Sequence, residues 1–466
     1  MIEVLDRVMG SGKTTALLNW LKTTDKVLFV TPLLSETEDR IKTARPDLLF
    51  TSPESECAMV DGKWQNSKTE HFLKLLEAGR NVATTHSLLR LCDQRHWQQI
   101  YNKGYILVLD EELSLIEKFT EKSFKDMDWL IKNNHLLRDP TNGKLTFVDS
   151  GEVDGFAYAG VKTLCDKQML YSASRSGGFV VSCLPVDIIM CAKRIILLTY
   201  LFKGSVLEQF LSLHGVGWKE FDEVDVPRVK PSSFKALIEF VDDRHVLPYG
   251  KSKLYSRKGI SLTQSGWVTM SKEDVKRVSN TIRNIFNGVD AEYCAFATPK
   301  QFVVRQHGTR NNLVKPHRYV YKEGRNDLWL YPKCRATNEY AHKTHLVYAL
   351  DVYPNQSVDA YLTDMGCNVD RDLYALSQLI QWLFRGAIRN GEKIVVGVLA
   401  PRMRGLLQRW LNDEFEQPLT LPETTPELTS CGTETMLQEL VDNSVDIPYD
   451  EFVEQEMPVV IWEGLE

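Results

Sequence analysis

The pentapeptide Gly10-Ser11-Gly12-Lys13-Thr14, set between a short apolar run and a helix-prone run, constrains this chain more than any other feature. Two glycines let backbone N–H groups turn toward an anion, and a lysine and a hydroxyl follow at fixed offsets. A helix starting there adds the positive end of its dipole. Ile2–Leu5 reads as the strand before it and Thr14 to Leu21 as the helix after it. This order predicts Gly10, Ser11, Gly12, Lys13, Thr14 and Thr15 around nucleotide phosphates, with Thr14 also on a magnesium ion. The pattern G-x-x-x-x-G-K-[ST] departs at its first glycine, which is Arg7.

The next hundred residues alternate unbroken apolar runs with helical patterns. Val27–Thr31, Asn81–Thr84 and Tyr105–Leu109 read as strands; helices are expected near Ser35–Thr43 and Ser87–Leu91. Strands without polar alternation, separated by helices, indicate a parallel sheet covered on both faces. Residues 140–193 are glycine-bearing with short β-prone pieces and read as a small β-rich insertion, after which Arg194–Thr199 returns as a buried strand. A second α/β pattern follows a Pro- and charge-bearing stretch. It has a helix capped by Ser271, strands at Tyr293–Ala297 and Ile394–Leu399, and a long helix over Leu373–Arg389. The expected fold is α/β. It has two RecA-like P-loop domains with parallel sheets flanked by helices (1–222 and 223–410), the insertion, and an acidic C-terminal tail (411–466).

At roughly 100–200 residues per domain, 466 residues leave room for this plan. The net charge of −6 hides an asymmetry: fifteen acids and no Lys or Arg lie in 411–466, leaving the preceding residues at +9. A basic body with an acidic tail suits a polyanion partner. No apolar run approaches the ~18 residues that span a bilayer, so no membrane partner is expected. Nine cysteines without a C-x-x-C pair, and no signal-peptide pattern, point to a reducing, cytoplasmic setting.

Two further elements carry chemistry. Asp110-Glu111-Glu112 follows an apolar strand. A carboxylate at a strand end can hold magnesium, and the next can orient or deprotonate an attacking water, which makes Asp110 the metal candidate and Glu111 the base. Gln381, Arg385 and Arg389 fall at i, i+4 and i+8, one face of a helix, where a guanidinium could reach a γ-phosphate across a cleft. Lys251, Lys253, Tyr255, Arg257 and Lys258, and Arg402, Arg404, Arg409 and Trp410, are candidate basic and aromatic tracks for nucleic acid.

In order and spacing, these three elements resemble the superfamily 2 helicases. Thr31-Pro32-Leu33-Leu34-Ser35 and Thr84-Thr85-His86-Ser87 resemble that superfamily's backbone-contact motifs. Leu198-Thr199-Tyr200 stands where the family has a Ser-Ala-Thr-like coupling motif; Ala297-Thr298-Pro299-Lys300 resembles motif IV, and Ala336-Thr337-Asn338 part of motif V. Met9–Leu17 with Leu109–Ser114 looks like the herpesvirus origin-binding helicases and their phage relatives. The resemblance implies an ATP- and Mg²⁺-dependent DNA helicase or translocase, in phage replication and origin opening. Glu111, Gln381, Arg385 and Arg389 would be catalytic; Thr31, Pro32, Thr85, His86, Thr298, Lys300, Thr337 and Asn338 would contact nucleic acid. This sequence departs at Phe384, where the family has glycine before the first arginine, and in its four-residue step between arginines. Two other readings stay open. One is a terminase-like phage packaging ATPase. The other is a nucleotide-switched DNA-binding protein whose acidic tail docks replication partners.

Overall fold

Six parallel strands make the first sheet: β1 (Ile2–Asp6), β2 (Val27–Thr31), β3 (Val82–Thr85), β4 (Ile106–Asp110), β5 (Arg194–Thr199) and β6 (Trp218–Glu220), in the order β6-β1-β5-β4-β2-β3. Side chains alternate across a strand, and here both sides are apolar. Leu28, Val30, Leu107, Leu109 and Leu197 enter one core, while Phe29, Val108, Ile196 and Leu198 enter another, with Leu17 and Leu18 of helix α1 (Lys13–Trp20). This double coverage is why the strands read as continuous apolar runs. The computed structural model describes residues 1–34, 40–60, 63–148, 157–174, 178–245, 259–303, 314, 328–332 and 339–415. All of them belong to one compact unit, Met1–Phe415.

A second parallel sheet follows. Its strands are β7 (Ile238–Phe240), β8 (Cys294–Ala297), β9 (His345–Tyr348) and β10 (Ile394–Val398), in the order β7-β10-β9-β8. Helix α2 (Lys272–Ile285) starts where the Ser271 hydroxyl accepts the Asp274 N–H at 3.1 Å, and it buries Val275, Val278 and Ile282 at helical spacing. Helices α3 (Arg371–Leu383) and α4 (Pro401–Leu411) complete the core, α4 opening on a proline whose missing N–H costs nothing there. The fold is thus mixed α/β, with parallel sheets flanked by helices.

Trp410 lies in this second core, yet its indole N–H donates to the Tyr200 hydroxyl at 2.8 Å, just beyond β5. Val8 of the phosphate loop belongs to the same core, and Met9, Tyr200 and Leu201 pack against it. The two halves therefore meet at the loops carried by β1 and β5, and also where Val358, Tyr361, Leu362 and Val369 pack into the first core.

Between β4 and β5 the chain builds a separate element. Strands Ile116–Lys118, Leu170–Ser172 and Val180–Cys183 pair antiparallel, beside a hairpin of Leu136–Arg138 and Leu145–Phe147. Two helices, Phe124–Lys132 and Ala159–Asp166, close its core. The element is wider than the glycine content of 140–193 suggests, and its first helix is announced by the Ser123/Asp126 capping box.

The long helix expected over Leu373–Arg389 ends at Leu383, and a separate 3-10 turn covers Ala387–Asn390. Gly386 between them is extended, and a Cβ there would stand 2.8 Å from the Lys343 carbonyl oxygen, which also accepts the Ala387 N–H at 2.8 Å. Leu346 of β9 would stand equally close to such a Cβ. Gly386→Ala is accordingly expected to cost about 1–3 kcal/mol, read as a lowered Tm in thermal unfolding.

Several expectations fall outside the described residues: most of the helix near Ser35, the track Lys251, Lys253, Tyr255, Arg257 and Lys258, the pair Thr337 and Asn338, and the acidic tail from residue 416. Among the described residues no helix is long and apolar enough to cross a membrane.

Candidate nucleotide site between two sheets

Strand β1 delivers its C-terminal end directly into the phosphate loop, and α1 begins at Lys13. Gly10 and Gly12 hold φ of +78° and +87°, a conformation other residues adopt at a cost. A Cβ on Gly12 would meet no protein atom within 4 Å, so conformation and not crowding requires the glycine. Lys13 folds over the loop, its Nζ donating to the carbonyl oxygens of Arg7 at 2.5 Å and Val8 at 3.2 Å. Burial pushes its ammonium down to about 8, against the pull of Asp110, Asp6 and Glu111; the charge of Arg389 adds to the push. The Ser11 hydroxyl is buried without a hydrogen-bond partner among the described residues.

Arg7 points away from the loop. It donates to the Val226 and Asp6 carbonyl oxygens and pairs with Glu220 of β6 at 2.8 Å. The residue that breaks the glycine pattern therefore ties the loop to the sheet edge.

Strand β4 runs beside β5 and ends at Asp110. The Thr14 hydroxyl lies 3.4 and 3.5 Å from the two Asp110 carboxylate oxygens, and both residues are buried. One hydroxyl and one carboxylate are the hard oxygen donors that magnesium takes from a protein when phosphate and water supply the rest. Thr14 and Asp110 thus fit that ion in the presence of nucleotide. Among the described residues no group of three or more His, Cys, Asp and Glu forms a metal site by itself.

Glu111 holds φ of +73°, unusual for a residue with a side chain, and its N–H donates to the Leu198 carbonyl at 2.9 Å. Strain of this kind, roughly 1–3 kcal/mol, persists where surrounding contacts fix it. Arg385, only 4% exposed, supplies one such contact: its Nη2 lies 3.2 Å from Glu111 Oε1. Arg389 lies along the loop itself, its Cγ 3.7 Å from where a Gly10 Cβ would be. Gln381 lines a cavity of about 290 Å³ shared with Glu111 and Glu112. All three residues expected from the second half therefore reach this region. The single helical face expected to present them does not exist, because the helix stops before Arg385.

Two contacts were not legible in advance. Arg40 Nη1 stands 3.9 Å from Asp110 Oδ2. The Thr199 hydroxyl donates to Glu112 Oε1 at 3.2 Å, linking the coupling-motif position to the acidic run.

The nucleic-acid candidates separate by burial. Thr31 and Thr298 are fully buried, so their side chains present nothing to a ligand outside the protein. The Thr85 hydroxyl caps the short helix that begins at His86, and Pro32 and His86 are partly accessible. Lys300 is exposed. Arg402, Arg404 and Trp410 do not form a track. Arg402 is held by Asp351 and Asp372, each at 2.9 Å, and Arg404 by Asp243 at 2.6 Å; Trp410 is buried and stacked on Phe234. Arg409 pairs with Glu414 at 3.0 Å.

Residues 232–411 match the family described as the YonV C-terminal Rossmann-like domain. The chain is 27% identical over 442 residues to the SPbeta prophage-derived uncharacterized protein YonV of Bacillus subtilis (strain 168), covering 89% of this chain and 99% of that protein. Among solved structures, XPD_APO aligns with 13% identity and a TM-score of 0.46, over 88% of this chain and 95% of that one. The DUF1998 helicase MrfA bound to DNA aligns with 9% identity and a TM-score of 0.29, over 90% of this chain and 49% of that one. The likeness to herpesvirus origin-binding helicases rests on the sequence motifs alone.

Proposed function

We propose that this chain is an ATP-driven motor on nucleic acid, a DNA helicase or translocase of the superfamily 2 type. The observation that carries the reading is the Arg385–Glu111 ion pair at 3.2 Å, which brings a guanidinium of the second half onto the acidic end of β4 beside the phosphate loop. ATP would lie on Gly10–Thr15, its phosphates met by backbone N–H groups, Ser11 and Lys13. Bound magnesium, held by Thr14 and Asp110, would neutralise charge on the β- and γ-phosphates. Glu111 would orient the attacking water, while Arg385 turns from the carboxylate to the γ-phosphate as the halves close. The bond between Tyr200 and Trp410 gives that closure a path between the sheets.

DNA as the track, and a replication role with origin opening, are supported by the motif likeness to phage and herpesvirus origin-binding helicases. The similarity to a prophage-derived protein supports the phage setting. The test is ATP hydrolysis measured with single-stranded DNA, duplex DNA and RNA as activators. Stimulation by DNA is expected. Turnover indifferent to all three would remove the motor reading.

A pH dependence follows from Lys13. With its ammonium held at about 8 in the nucleotide-free protein, the charged form that phosphate requires is complete below that pH and lost above it. Burial sets this value; Asp110, Asp6 and Glu111 oppose it and Arg389 adds to it. ATP affinity is therefore expected to be flat near pH 7 and to weaken by about tenfold per pH unit well above 8. Equilibrium binding of a fluorescent ATP analogue reads this directly.

A further inference from the structure

Asp6 is a carboxylate that neither the motifs nor the hydrolysis scheme uses. It is the last residue of β1, it stands opposite Thr199 of β5, and the phosphate loop follows it immediately. Its two oxygens accept the backbone N–H groups of Leu201 at 2.8 Å and Phe202 at 2.9 Å. Leu201 holds φ of +60°, a conformation that a bulky side chain disfavours. The turn so held is one of the places where the halves meet. Thr199 reaches Glu112, Tyr200 accepts the Trp410 N–H, and Leu201 packs against the second core. Phe202 is fully buried in the first core, edge-on to Trp218.

We propose that Asp6 is a positioning residue: its carboxylate clamps the strained Tyr200–Phe202 turn to the strand beneath the phosphate loop, so that nucleotide at the loop is felt at Trp410. The proposal rests on the motor reading for its effect on turnover. The clamp itself does not depend on that reading.

Asp6→Asn keeps the shape but sets an NH₂ group against one of the two N–H donors. Amide hydrogen exchange in the nucleotide-free protein should show protection at Leu201 and Phe202 falling by at least about tenfold, with the Trp410 indole N–H exchanging faster. Unchanged protection overturns the clamp whether or not the protein hydrolyses ATP. In turnover, Asp6→Asn should lower kcat by about tenfold and leave ATP affinity within about threefold, whereas the Lys13→Ala control loses binding. Full turnover in Asp6→Asn, or a loss of binding equal to that of Lys13→Ala, also overturns the positioning role. A control that still binds ATP, or a wild type without ATPase, instead sinks the motor reading and leaves the exchange result to decide the clamp.

The decisive comparison is rescue. In the Asp6→Asn background, Leu201→Gly and Leu201→Ala remove the same packing, but only glycine accepts positive φ without strain. Turnover with glycine should exceed that with alanine by at least about threefold. Equal turnover, or an Asp6→Asn chain that fails to fold with either leucine or glycine at 201, counts against the proposal.

Discussion

Arg385→Ala is expected to lower ATP hydrolysis by about a thousandfold, the scale on which an arginine finger acts, while leaving ATP bound. The guanidinium is almost wholly enclosed and lies against Glu111, at the edge where the two sheets approach. Under the proposed motor reading, a charge placed there would contribute little to affinity and much to the charge developing on the transferred phosphoryl group. Lysine should not rescue it, since a single ammonium cannot reproduce the planar fork. Arg389 lies along Gly10, on the loop itself. Its alanine variant should act chiefly on affinity, by about tenfold, through lost contact with bound phosphate. Single-turnover hydrolysis beside equilibrium nucleotide binding separates the two. Equal losses of turnover would contradict this division of labour.

Glu111→Gln should slow hydrolysis by about a hundredfold or more, the range of a positioned base, with ATP retained on the protein. The substitution preserves the size of the side chain and leaves the backbone bond to Leu198 in place. The variant should therefore fold normally and trap the nucleotide-bound form. Rapid hydrolysis by this variant would move the base elsewhere, and Glu112, held by Thr199, would be the next residue to test.

The parts of this site that could be read from the chain are local. Gly12, Lys13 and Thr14 announce themselves because loop geometry demands particular residue types at adjacent positions. The first sheet is legible because strands such as β2 and β5, packed on both faces, leave no polar position. Arg385 and Arg389 do lie beside the loop and the acidic end of β4, but not for the reason that spacing suggests. Spacing alone predicts one helical face, but the helix ends at Leu383 and the Ala387 N–H turns to the carbonyl of Lys343, remote in sequence. Arg402 and Arg404 look like a nucleic-acid track until the fold brings Asp351, Asp372 and Asp243 against them. Thr31 and Thr298 fit motif positions, but a three-residue match carries no information about burial. Arg7 breaks the glycine pattern, and nothing near it in sequence reveals Glu220 as its partner.

The place of β1 in its sheet also governs when this protein can come into being. Its neighbours are β5 and β6, supplied only by Arg194–Thr199 and Trp218–Glu220. A strand that precedes both its partners by so many residues must wait for them, and pairing so distant in sequence is intrinsically slow. On a ribosome adding about 5–20 residues per second, the phosphate loop would wait roughly ten to forty seconds for its flanking strands. Throughout that interval β1 and the loop after it lack the neighbours that cover them in the finished sheet. Nucleotide cannot assist this stage, because the surface it would bind does not yet exist. If ATP binds as proposed, a chain interrupted before residue 220 should gain no protection from it against proteolysis, whereas the completed first sheet should.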